Sequence, residues 1–139
     1  MSKNPIPQGK YVPAKKINNL VYSAGMTPRV DGKLILTGKI KSNEDIEKYK
    51  DSVIQAAKNS LIAIKNSLSE SEKLDDIVNL TVYVNCEEDF SLHSKIADFA
   101  SEYLVDELGE RGISPRTSVG VASLPGDAPV EVQIIASFI

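Results

Sequence analysis

The sequence predicts one α+β domain spanning residues 1–139, a mixed sheet of five or six strands with two long helices on one face. Three observations carry this. Apolar residues recur at helical spacing in two long segments, short alternating strands precede, separate and follow them, and turn residues stand between. The resulting order, β-β-α-β-α-β-β, places both helices on the same sheet. The length is usual for one domain, and no linker, repeat or low-complexity segment divides it.

The first dozen residues hold Pro5, Pro7 and Pro13 and run extended or in turns. "NLVYSAG" (19–25) is a short strand rich in β-formers. In "RVDGKLIL" (29–36), Asp31-Gly32 between apolar residues signals a type I′ turn, hence a hairpin or flap. From Ser42 the period changes. A hydroxyl cap followed by Glu44 and Asp45 starts a helix over about 43–67, striped by Ile46, Val53, Ala57, Leu61, Ile64 and Leu68. After the polar loop "SESEKLDD", "IVNLTVYV" (77–84) is a strand. Val78, Leu80, Val82 and Val84 share one face, and Ile77, Asn79, Thr81 and Tyr83 the other. A second helix spans about 88–108, with Phe90, Ile96, Ala97, Ala100, Tyr103 and Leu104 on its apolar stripe and Gly109 and Gly112 at its exit.

The last twenty-six residues read as two strands around "LPGDAP". In the final strand Val130, Val132, Ile134, Ala136 and Phe138 occupy one side, and Glu131, Gln133, Ile135, Ser137 and Ile139 the other. Two helices cover one face of such a sheet. The second side is too apolar for free solvent and too polar for a closed core, which suits a subunit interface.

Composition narrows the function. The formal charge is -3, with no basic block beyond Lys15 and Lys16, so a nucleic-acid partner is disfavoured. No stretch approaches the ~18 apolar residues of a membrane span, and the N-terminus lacks the apolar run of a secretory signal. A single cysteine, Cys86, permits no internal disulfide; together these features point to the cytoplasm. One histidine and one cysteine make no metal motif. His93 reads as a packed, hydrogen-bonded residue and Cys86 as an inert, buried thiol.

Two charges in the C-terminal strands stand out. Arg116 follows Pro115, which fixes the backbone before it, and a guanidinium so held suits bidentate capture of a carboxylate. Glu131 lies between Val130 and Val132. Each taken alone reads as a strand-end or wet-face charge. A hairpin turning at Gly126 sets Glu131 opposite Val121 and Arg116 opposite Ala136, so the two stand about five residues or ~17 Å apart. Either the turn is asymmetric or the two charges reach one cleft from different subunits.

"PRTSVGVASLPGDAPVEVQIIA" resembles the C-terminal signature of the Rid/YjgF family, the reactive intermediate deaminases. "GKYVPAKKINNLVYSAG" resembles that family's N-terminal segment and first core strand, and "DDIVNLTVYVNCEEDF" its third strand running into helix two. The resemblance covers nearly the whole chain. It implies a chorismate-mutase-like fold, a homotrimer with a barrel-like centre, and clefts between subunits that bind small carboxylates without metal or organic cofactor. It gives Arg116 the ligand carboxylate, Glu131 a water, and Tyr11 the cleft wall, with Ala24 and Gly25 on the approaching loop. Met26 stands where the archetype has glutamine, and Ser94 where it has asparagine.

The resemblance implies a hydrolase that converts enamines and imines such as 2-aminoacrylate to keto acid and ammonia. The same cleft without turnover makes a carboxylate-binding regulatory trimer, which the loss of two amides at Met26 and Ser94 favours. An endoribonuclease or translation inhibitor, a label relatives carry, fits the acidic composition less well.

Overall fold

The computed structural model describes residues 2–139. Strands β1 (Ala14–Ile17) and β2 (Leu20–Ser23) form a hairpin, followed by a two-stranded flap, β3 (Arg29–Val30) and β4 (Lys33–Leu34). Helix α1 (Lys50–Ser67), β5 (Leu74–Asn85), α2 (His93–Leu108), β6 (Arg116–Val121) and β7 (Val130–Phe138) complete the chain. The main sheet has five strands in the order β1-β2-β7-β5-β6, and only the β5–β6 pair is parallel.

Both helices cover one face. Val21, Ile77, Leu80, Val82 and Val84 join Val130, Val132, Ile134 and Ala136 beneath Val53, Ala57, Leu61 and Ile64 of α1 and Ile96, Ala97, Ala100 and Leu104 of α2. The flap turns as its sequence dictates. Asp31 and Gly32 both take positive φ (53° and 81°), the type I′ geometry that matches strand twist.

Four expectations are corrected. The last two strands are not a hairpin: β5 lies between them, pairing in parallel with β6 and antiparallel with β7. Parallel neighbours need a crossover, and α2 supplies it between β5 and β6. The "LPGDAP" segment is a 3₁₀ turn, Pro125–Asp127, with Gly126 at φ 65°, joining strands that are not neighbours. On β5 the alternation slips at Val78. Ile77 pairs with Ala136 and Asn79 with Ile135, so Val78 is the extra residue of a bulge, 38% exposed, while Ile77 is buried.

The helix starts also move. Asp45 rather than Ser42 is the cap, accepting from the Glu47 amide, and a 3₁₀ turn Ile46–Tyr49 precedes α1. Ser42 instead bonds Glu87 and Asp89, because the chain at Ile40 docks beside the end of β5. Helix α2 begins at His93, not 88, since Glu87–Phe90 closes a turn that buries Phe90 edge-on to His93.

Gly112 returns the chain to β6 so closely that a Cβ there would lie 2.3 Å from the Leu104 carbonyl oxygen. Backbone cannot yield like a side-chain tip. Gly112→Ala is therefore expected to cost about 1–3 kcal/mol by overpacking, read as a lower urea midpoint.

Candidate functional site

The local break between β2 and β7 builds the site. The two strands pair at Tyr22–Ile135 and again at the Met26–Val132 bridge, with one extra residue on the β2 side. Buried serines patch the gap. The Ile134 amide donates to Ser23 Oγ (3.1 Å), and Ser60 Oγ of α1 donates to the Val132 carbonyl (2.9 Å). Ala24 and Gly25 are thereby held off the strand, with the Ala24 amide on the Pro13 carbonyl (2.8 Å).

That gap admits Glu131. A Cβ on Gly25 would lie 2.9 Å from both Cδ and Oε2 of Glu131, so only glycine leaves the carboxyl its place. The side chain is half-buried, and burial pushes its pKa above the ordinary carboxylate value. Tyr11, Ala24, Gly25, Arg29 and Glu131, with Gln8, Thr27 and Pro125, line a cavity of about 320 Å³. Tyr11 Oη accepts from the Gln8 amide (2.9 Å), which folds the N-terminal loop over this cavity. Met26 is buried and lines the adjoining groove with Tyr11, Gly25 and Arg29.

Five of the sequence-predicted residues, Tyr11, Ala24, Gly25, Met26 and Glu131, thus come together in one chain. Arg116 and Ser94 do not join them. Arg116 is in register with Leu80 and Ile134 and faces the helices, whereas Glu131 is in register with Tyr83 and faces the open side of the sheet. Arg116 Nη1 donates to Asp98 (2.8 Å) and Ser101 (3.0 Å), and Nη2 to the hydroxyl (2.8 Å) and carbonyl (3.2 Å) of Ser94. The hydrogens of both terminal nitrogens are engaged within the chain. The fork expected to be free for a ligand instead ties edge strand β6 to α2.

Arg29 was missed. The proline-arginine dipeptide at Pro115-Arg116 recurs at Pro28-Arg29. Arg29 is fixed from both ends. Nε donates to Thr27 Oγ1 (3.2 Å) and Nη1 to the Gly32 carbonyl (2.9 Å). The buried Asn59 of α1 donates to the carbonyls of Thr27 (3.1 Å) and Arg29 (2.9 Å), clamping the backbone.

Cys86 and His93 lie together, Sγ to Nε2 at 3.5 Å, at the wall of an open cleft of about 1000 Å³ with Lys39 and Gly120. Burial pushes the Cys86 thiol up, away from a reactive thiolate. Among the described residues no three His, Cys, Asp or Glu side chains are grouped to hold a metal. No helix among them is long and apolar enough to cross a membrane.

The family model described as endoribonuclease L-PSP matches residues 1–138. A RutC family protein of Pyrococcus abyssi is 34% identical over 135 residues, covering 96% of this chain and 91% of that one. Atu1372 of Agrobacterium tumefaciens, a crystal structure of unknown function, aligns with a TM-score of 0.85 at 30% identity, covering 93% of this chain and 83% of its own. E. coli TdcF with bound serine shares the fold, with a TM-score of 0.66 at 23% identity over 96% of this chain and 91% of TdcF. Matched along almost its whole length by this family's model and relatives, the chain belongs to the endoribonuclease L-PSP family, the Rid/YjgF group that its C-terminal motif resembles.

Proposed function

We propose that the chain hydrolyses small enamines and imines of amino-acid-derived acids, with Glu131 as the reacting protein group. The observation that carries this is a half-buried glutamate, pKa raised by burial, set against a glycine in a cavity of small-molecule size. A raised pKa leaves a larger fraction of the carboxyl protonated than an ordinary glutamate has at the same pH. That form donates a proton to the enamine carbon, giving the iminium. The carboxylate then takes a proton from water as the water oxygen bonds to the iminium carbon. The carbinolamine collapses to ketone and ammonia, with proton transfer to the leaving nitrogen. Positioning and electrostatics supply most of what such an electrophile needs.

The proposed assembly is a trimer. Tyr22, Tyr83, Val119 and Ile135 lie on the sheet face that neither helix covers, with Tyr22 38% and Val119 40% exposed. Light scattering is expected to give three chains at micromolar concentration, and a stable monomer would contradict the interface. The role the resemblance gives Arg116 and Ser94 requires a neighbouring copy to bring them to this pocket, and release of Asp98 to free the guanidinium.

The engaged Arg116 also favours a second reading, a trimer that binds small carboxylates without turnover. An assay of ammonia release from enzymatically generated 2-aminoacrylate separates the two. Acceleration at micromolar protein supports hydrolysis; an unchanged rate leaves only the binding role. The endoribonuclease reading, which the family description names, predicts salt-sensitive RNA binding, which a chain of net charge -3 is not expected to show.

A further inference from the structure

We propose that Cys86 and His93 form a two-donor seat for a divalent transition-metal ion of the zinc kind, with the remaining coordination positions open to the cleft that they line. The seat shares no residue with the Glu131 cavity.

The pair stands seven residues apart in sequence, and the fold closes that gap. Cys86 follows the last residue of β5, His93 opens α2, and the turn at Glu87–Phe90 folds one back on the other. Both donors stand on fixed backbone. The Ile40 amide donates to the Asn85 carbonyl (2.8 Å) and the Glu87 amide to the Ile40 carbonyl (2.9 Å), one on either side of Cys86. The His93 carbonyl accepts from Ser118 Oγ (2.9 Å), and its ring is set edge-on to Phe90 with centroids 5.3 Å apart.

Distance decides what such a pair can hold. Thiolate sulfur and imidazole nitrogen lie about 2.3 and about 2.0 Å from zinc, which at a tetrahedral angle sets them about 3.5 Å apart. A linear arrangement with the same bond lengths would need about 4.3 Å. Cys86 Sγ and His93 Nε2 are 3.5 Å apart. Gly120 of β6 keeps the place clear, since a Cβ there would lie 2.7 Å from Nε2 and 3.0 Å from Sγ. Mixed sulfur and nitrogen donors suit zinc. The cleft wall carries Glu87, Glu88 and Asp89 against Lys39 alone, so its field favours a cation. Lys39 is itself spent on the Asn85 side chain (3.1 Å) and the Ala122 carbonyl. Binding replaces the thiol proton, which leaves to solvent, while the imidazole coordinates through Nε2 and keeps its proton on Nδ1. Two protein donors are fewer than a structural zinc site takes, so the ion exchanges readily.

Titration of the reduced full chain with cobalt(II), followed by absorbance, tests this. Wild type is expected to develop a near-ultraviolet thiolate-to-cobalt charge-transfer band that saturates at one ion per chain and is displaced by zinc. Cys86→Ser is expected to abolish the band. His93→Gln, a change at a partly exposed side chain, is expected to weaken cobalt and zinc binding roughly tenfold or more and to keep the metal-free melting temperature. Excess zinc is expected to raise the melting temperature of wild type and not that of His93→Gln. A wild type without the band overturns the seat. So does wild-type affinity in His93→Gln, which would leave a thiol acting alone. The ammonia-release assay on the Glu131 cavity stands apart from either result.

Discussion

Glu131→Gln is expected to lower turnover by about a hundredfold or more, the usual range for removing a positioned acid–base group, with little change in KM for an enamine acid. The amide keeps the shape against Gly25 and loses the proton-transfer capacity. Stability is expected to move the other way. Burial raises the folded pKa of Glu131 above its unfolded value, so the folded state holds the proton more tightly. The favourable contribution is complete below the unfolded pKa and is lost as pH rises through the folded one. At neutral pH the ionised glutamate therefore costs stability, and Glu131→Gln should melt higher than wild type there. The difference should vanish below the ordinary carboxylate range. Melting curves and steady-state kinetics on the same preparations separate this result from a damaged fold. A variant that turns over normally removes Glu131 from the chemistry.

Arg116→Ala is expected to destabilise the chain by about 1.5–2 kcal/mol. Four hydrogen bonds from one guanidinium to α2 are lost, and hydrogen bonds to charged groups contribute about 1.5–3 kcal/mol. Asp98 is 51% exposed, so its ion pair with Arg116 is screened and the lower part of that range applies. The edge strand is the vulnerable element, because β6 has only β5 beside it and relies on α2 to hold it. For a chain of this length the melting point should fall by about 5–7 °C. Arg116→Lys should recover part of the loss through Asp98 alone. An unchanged melting temperature in Arg116→Ala would mean that the network contributes little, and would return the guanidinium to ligand binding across subunits.

Local rules made much of the fold legible. Asp31-Gly32 dictates its turn, the alternation of Val130 to Ala136 dictates which face β7 buries, and the spacing of Val53, Ala57, Leu61 and Ile64 dictates α1. What local pattern does not contain is which strand lies beside which. β6 and β7 flank a compact turn and both alternate, so they read as partners. The insertion of β5 between them follows from the α2 crossover, a non-local choice. The bulge at Val78 is similarly invisible, since Val78 and Ile77 are equally apolar and only the partner strand decides which turns inward. This decided the site. Once β5 separates the two strands, Arg116 and Glu131 fall on opposite faces, and the arginine that shares a cavity with Glu131 is one whose sequence context, Pro28-Arg29, is no weaker a signal than Pro115-Arg116.

The central claim is that Glu131 is a reactive carboxyl inside a ligand pocket. Titrating its side-chain carbon by NMR in protein carrying ¹³C-labelled glutamate, with Glu131→Gln assigning the resonance, measures this directly. The expected result is a midpoint above the ordinary value of 4.5 in the free protein. A midpoint at or below the ordinary value would contradict it.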